Sequence, residues 1–140
     1  GLAVGERTAE EIKIRCGSAM YLNEKLRMEV KGRDMITGLP KLVEVSSDDV
    51  TEAIQPLLEG ILTTLKEVLF QTPPELAADV MDKGIVISGG SSQLRNLDRL
   101  IAESTGVPTY VADDPQLCVA RGTGLALENL DAYKRSVFSS

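Results

Sequence analysis

Apolar positions recur along this chain with two alternating periods, and the switches between them mark out the elements. Thr8-Ala-Glu-Glu11 has the form of a capping box and opens an apolar pattern at Ile12, Ile14 and Cys16, which predicts a helix to about Gly17. Leu26, Met28 and Val30 then alternate with Arg27, Glu29 and Lys31, the period of a strand with one polar face. Gly32-Arg33-Asp34 offers a turn, Gly38 and Pro40 break the chain again, and Leu42-Val43-Glu44-Val45 reads as a further strand. The short links predict antiparallel pairing. A helix followed by a small antiparallel meander thus accounts for the first part of the chain.

Ser46 or Ser47 caps the next helical stretch, with Asp48 and Asp49 well placed near its positive end. Val50, Ala53 and Ile54 are its apolar positions. Pro56 has no backbone N–H to donate, so a kink or break is expected near Gln55, and the first lobe is placed at residues 1–55. Leu58, Ile61, Leu62, Leu65, Val68 and Leu69 form a strong amphipathic stripe beyond it. Thr72-Pro73-Pro74-Glu75 starts another helix, and Gly84 stops it.

Ile85, Val86 and Ile87 then suit a buried strand, over 85 to 88, and Leu94, Leu97, Leu100 and Ile101 a helix over about 93 to 104. Gly106-Val107-Pro108 leads into a strand at 109 to 112, and Asp113-Asp114-Pro115 into a helix to about 128. Such a strand-helix-strand-helix series over 56–130 calls for a parallel pair covered by helices. Two strands are too few for a doubly wound sheet, so this α/β lobe reads as incomplete. Residues 131–140 carry no clear pattern and read as a loosely held tail.

Composition narrows what these elements are for. The 140 residues are 43% hydrophobic but only 4% aromatic, enough for an aliphatic core in a soluble intracellular α/β protein. No apolar run reaches the length of a membrane span, and no signal peptide is expected from the pattern of these residues. A net charge of −6, with no long run of Lys and Arg, argues against nucleic acid as a ligand. The chain has no histidine, which excludes Ser-His-Asp and Cys-His catalysis and imidazole-ligated metal sites built from it alone. Cys16 and Cys118 sit among apolar helical neighbours, the setting of small buried hydrophobes, and no disulfide is expected between them. The chain opens on Gly1 and not on methionine, so a fragment of a longer protein is expected.

The segment from Gly84 to Leu100, GIVISGGSSQLRNLDRL, is the most pointed chemical signal. Gly89 and Gly90 lie at the carboxyl end of a strand and before a helix, where α/β folds place ligands. The spacing is neither GxGxxG nor GxxxxGK[ST], and a purely structural strand-to-helix turn explains the same residues. Asp113 and Asp114 read as a cap and turn, not as metal ligands. Arg121-Gly122-Thr123-Gly124 reads as a helix segment made for close packing.

GERTAEEIKI (5 to 14), EVKGRDMITGLPK (29 to 41), TPPELAADVMDKGIVISGG (72 to 90), LRNLDRLIAESTGVPTYVADDP (94 to 115) and CVARGTGLALE (118 to 128) together resemble the C-terminal half of the MreB family, bacterial actin homologues that determine rod shape. The resemblance implies an actin-like ATPase fold, of the ribonuclease H-like class, represented here in part. Residues 1–55 would be the small adenine-capping lobe, subdomain IIB, and residues 56–130 the closing part of the nucleotide-binding lobe, subdomain IIA. It implies that Gly89 and Gly90 belong to an adenosine motif in which Ser91 stands where the family often has a third glycine. It implies as well that Glu10 and Lys13, three residues apart on one helix face, approach the base and ribose; an exposed ion pair is the plainer reading of those two.

The cofactor implied is ATP or ADP with Mg, in a cytoplasmic protein at the inner face of the membrane. The phosphate loops and metal-organising carboxylates of the family lie in its N-terminal half, so this chain by itself is expected to bind nucleotide weakly and not to hydrolyse it. Expected partners are further copies in a filament, a RodZ-like membrane partner and the cell-wall synthesis machinery, with no nucleic acid and no membrane element in this chain. A reduced paralogue that modulates assembly, or a piece of a sugar kinase or heat-shock-type chaperone ATPase, are the alternatives; the latter two would need a substrate-binding insertion or peptide-binding domain that the sequence lacks.

Overall fold

In the computed structural model, which describes residues 1–130, the predicted meander becomes a three-stranded sheet. Strands β2 (Arg27–Asp34) and β3 (Pro40–Ser46) pair antiparallel, with Val30 opposite Val43 and Arg27 opposite Ser46. A two-residue strand, β1 (Leu2–Ala3), adds antiparallel to the far edge of β2, too short to leave a periodic signal in the sequence. Its presence explains Gly32, which does not turn the chain as expected: a Cβ there would lie 2.6 Å from the Ala3 carbonyl oxygen. The turn comes later. Asp34 Oδ1 accepts the backbone N–H groups of Ile36 and Thr37, both at 2.9 Å, and Gly38 supplies the positive φ of 74° that closes it.

Helix α1 (Glu6–Cys16) starts before the expected capping box, so Thr8 lies inside its first turn and does not cap it. Gly5 holds the extended N-cap conformation, and Glu6 supplies the first-turn acid. Ser46 does cap α2 (Ser47–Gln71), accepting from the Asp49 N–H at 3.3 Å while Asp49 Oδ2 accepts from the Ser46 N–H at 2.8 Å. This helix runs through Pro56 with no break near Gln55. Ile54, on one side of the proline, and Leu58, Leu62 and Leu65, on the other, pack into one core with Ala19, Leu97 and Ile101, so interrupting the helix would forfeit burial on both sides.

Helix α3 (Pro74–Lys83) begins and ends as expected, with Gly84 at φ 82° as its stop. Strands β4 (Ile85–Ile87) and β5 (Thr109–Val111) pair in parallel, Ile85 opposite Thr109 and Ile87 opposite Val111. Helix α4 (Leu97–Thr105) joins them, starting later than expected because a single 3-10 turn at Gly90–Gln93 and a left-handed Asn96 (φ 60°) intervene. Helix α5 (Cys118–Glu128) closes the described chain; the expected tail at 131–140 lies outside the described residues.

Along α5, Gly122 and Gly124 face open space, so no close packing within the described residues requires them. Cys118 is only half-buried and does not fill a core position, whereas Cys16 is buried; both thiols are free. Val86, Tyr110, Val119, Leu125 and Leu127 are all more than half exposed. The core sits on the other side, between α2, α4 and β4.

Candidate functional site

β4 delivers the chain to its carboxyl end at Ser88, and everything there is set by backbone. Gly89 has φ 90° and ψ 169°, a conformation open in practice to glycine alone, and a Cβ on it would meet nothing within 4 Å. Conformation, not crowding, therefore demands glycine at 89. Its N–H donates to the Pro115 carbonyl at 2.8 Å and its own carbonyl accepts from the Ser92 hydroxyl at 2.7 Å, pinning both sides of the peptide. Ser92 is buried and spent on this structural bond, while Ser91 is exposed with its hydroxyl free to meet a ligand.

Gly90 differs. Its φ is not positive, and a Cβ would meet only Gln116 Nε2 at 3.9 Å, an ordinary contact. Nothing within the described chain explains glycine at 90. The surface beside it is open, walled on one side by the Gln116 amide, which donates to Gln93 Oε1 at 3.1 Å. A missing side chain at this exposed point keeps a flat approach to the backbone clear.

Glu10 and Lys13 pair with each other across one turn of α1, Lys13 Nζ to Glu10 Oε2 at 2.7 Å, with both side chains about half exposed. They are free to exchange this partner for a ligand at little cost, since exposed pairs of this kind are worth tenths of a kcal/mol. No hydrogen bond or ion pair among the described residues joins them directly to the Gly89–Ser91 turn. The link is indirect and lies in residues that the sequence patterns did not single out. Ser18 and Arg95 form a parallel bridge, with the Ala19 N–H donating to the Arg95 carbonyl at 2.8 Å. Asn96 Nδ2 donates to Ser18 Oγ at 3.1 Å, and Thr51 Oγ1 from α2 donates to the Ser18 carbonyl at 2.9 Å. Ser18 and Thr51 are almost fully buried.

Three titratable groups are perturbed, of which Cys16 lies nearest this framework. Burial pushes the Cys16 thiol up, opposed by the Arg95 and Arg15 charges. The Lys41 ammonium and the turn N–H groups hold Asp34 well below the ordinary carboxylate range. Asp49 is lowered by its hydrogen bonds from the Ser46 hydroxyl and N–H. All three are structural. Among the described residues no three His, Cys, Asp or Glu side chains come together to hold a metal ion; Asp114, itself a turn residue at φ 46°, pairs with Arg121, Oδ2 to Nη1 at 2.7 Å. A recess of about 370 Å³ at Thr63, Lys66, Glu67, Phe70 and Gln71 shares no residue with the glycine turn. Nor is any described helix long and apolar enough to cross a membrane.

Comparison with known proteins shows which family this chain resembles. Residues 1–135 match the family described as MreB/Mbl protein. The cell shape-determining protein MreB of Escherichia coli K12 is 46% identical over 139 residues, 99% of this chain and 40% of the relative; Mbl of Bacillus subtilis 168 is 45% identical over 138 residues, 99% of this chain and 41% of the relative. The chain thus spans about two fifths of the length of these relatives. Among solved structures, Spiroplasma citri MreB5 bound to ADP superposes with a TM-score of 0.87 at 32% identity, covering 99% of this chain and 41% of that one. A chain of the MamK double helical filament superposes at 0.74 with 23% identity, over 91% of this chain and 38% of that one, and shares the actin-like fold.

Proposed function

Since the chain belongs to the MreB/Mbl protein family, we propose that it supplies the adenosine-facing side of an ATP-binding, filament-forming cytoskeletal protein that controls rod cell shape by organising cell-wall synthesis. The observation that carries the nucleotide part is Gly90: an exposed glycine beside the end of β4, needed neither for φ nor for space within the described chain. At the carboxyl end of a strand, such a bare backbone leaves room for a partner outside the described chain. The relative from Spiroplasma citri, solved with ADP and with AMPPNP, supports a nucleotide as that partner.

In this reading Gly89 aims the turn, Gly90 leaves room for the purine and ribose, the Ser91 hydroxyl offers a hydrogen bond, and Glu10 and Lys13 on α1 close over the base edge and ribose hydroxyls. Residues 1–55 act as the adenine-capping lobe and 56–130 as the remainder of the nucleotide-binding lobe. Magnesium would travel with the phosphates, and its ligands are assigned to the portion of the family outside this match. Filament contacts, a RodZ-like membrane partner and the inner membrane face as location follow from the family resemblance, and the exposed apolar residues of α5 and the β2–β3 turn support self-association.

The test is a calorimetric titration of the 140-residue chain with ATP beside a Gly90→Leu variant. Weak, saturable binding at millimolar ATP without hydrolysis, abolished by the leucine, is expected. Equal binding by both proteins would remove the turn from the site.

A further inference from the structure

The last carbonyls of a helix have no partner within it, and α1 shows where its own go. The Gly17 N–H takes the Lys13 carbonyl at 2.8 Å. The carbonyls of Ile14, Arg15 and Gly17 converge on one atom from a distant part of the chain, Arg95 Nη1, at 3.2, 3.1 and 3.2 Å, and share its two N–H hydrogens. A guanidinium at a helix C-terminus also meets the negative end of the helix dipole, which strengthens each bond. Arg95 lies two residues beyond the 3-10 turn that begins at Gly90, and its own carbonyl is fixed by the Ala19 N–H. Asn96, left-handed at φ 60°, places its amide on Ser18 Oγ from the same side.

Two separate pieces of the chain are thereby locked at their junction. One end of the lock is the glycine turn, and the other is the helix that carries Glu10 and Lys13. Glu10 stands one turn before Ile14, and Lys13 immediately precedes it. Cys16 is the one fully buried residue of α1, so the Arg95 side chain adds a polar tie at the C-terminal end of a helix that otherwise rests on β2, β3 and α2.

Resting on the nucleotide reading above, we propose that Arg95 is a positioning residue: by gripping the C-terminal carbonyls of α1 it fixes the Glu10–Lys13 face relative to the Gly89–Ser91 turn, so that a nucleotide on the turn is met by α1 in one orientation. Arg95 acts through α1 and needs no contact with the ligand. Its side chain is exposed, so replacing it leaves the core intact.

The experiment compares the wild-type chain with Arg95→Met, which keeps the aliphatic stem, and Arg95→Lys, which restores a cation. Amide hydrogen exchange is read first, without ligand. In Arg95→Met the amides of residues 13 to 17 exchange about tenfold faster while the exchange of α4 and β4 is unchanged, and Arg95→Lys recovers most of the protection. Asn96→Gly, which suits the left-handed backbone, gives a second route to loosening the same junction. Resonance shifts on adding ATP are read next. In the wild type they appear both on the turn and on α1; in Arg95→Met they persist at Gly89–Ser91 and vanish at Glu10 and Lys13. Unchanged exchange in Arg95→Met, or α1 shifts that survive it, overturns the clamp. Absence of any ATP shift in the wild type overturns the nucleotide reading and the positioning role with it, a result distinct from a failed exchange arm.

Discussion

Gly89 and Gly90 are neighbours, yet alanine at the two positions should have opposite consequences. At Gly89 the backbone sits at φ 90° and ψ 169°, where a Cβ has no room against its own chain although nothing else approaches within 4 Å. Holding a non-glycine residue there costs about 1–3 kcal/mol. For a chain of this length that corresponds to roughly 4–10 °C in melting temperature. At Gly90 the φ is ordinary and the sole neighbour of an added Cβ is 3.9 Å away, so alanine is accommodated and restricts the unfolded chain, a gain of about 0–1 kcal/mol. Urea and thermal unfolding followed by circular dichroism measure both. Gly89→Ala is expected to be clearly destabilised, and Gly90→Ala as stable as the wild type or slightly more so. If Gly90→Ala falls as far as Gly89→Ala, glycine at 90 is structural and the case for a bare backbone kept for a ligand fails.

Gly84→Ala should be worse than either, by more than about 3 kcal/mol in urea unfolding, because strain at φ 82° is joined by a Cβ only 2.6 Å from the Pro108 carbonyl oxygen. Asp34 and Asp49 titrate below their ordinary 3.8 when folded, so the stability they confer is complete above that pH and is lost as pH falls through it towards their folded values. Asp34→Asn, which keeps an acceptor for the turn, should make the acid limb of a melting-temperature profile shallower. Ile36, 93% exposed at the β2–β3 turn beside exposed Met35 and Leu39, should mediate self-association: Ile36→Asp should weaken it about tenfold in sedimentation equilibrium with an unaltered circular dichroism spectrum.

The elements whose apolar period ran for two turns or more, or for several alternations, were legible in the sequence: α3, β2 and β3 lie within a few residues of their expected places, and α2 covers the two helical stretches expected on either side of Pro56. The misses have local causes. β1 is two residues long and exists only because β2 offers an edge and Gly32 yields space, neither of which periodicity registers. Pro56 signalled an interruption, but tertiary burial of Ile54 and Leu58 outweighed its local preference. The capping box at Thr8 lost to Gly5, and the helix after the glycines was delayed by the left-handed Asn96, which no apolar pattern encodes.

At the candidate site the glycine turn was visible, whereas the junction at Ser18, Thr51, Arg95 and Asn96 was not. Those four residues come from three segments up to 78 positions apart, joined by hydrogen bonds among backbone groups and short polar side chains. The nearest sequence signal was the polar Arg95-Asn96 pair between Leu94 and the start of α4 at Leu97.

The most direct test of the adenosine-side assignment is a titration of the isotopically labelled chain, by two-dimensional amide resonance, with AMP, ATP and inorganic tripolyphosphate in parallel. AMP and ATP should move the amides of Gly89–Gln93 and of α1 in the same directions with similar, weak affinity, and tripolyphosphate should move neither. Shifts produced by tripolyphosphate at the turn, or by ATP but not AMP, would show that this surface reads phosphate and would contradict the account.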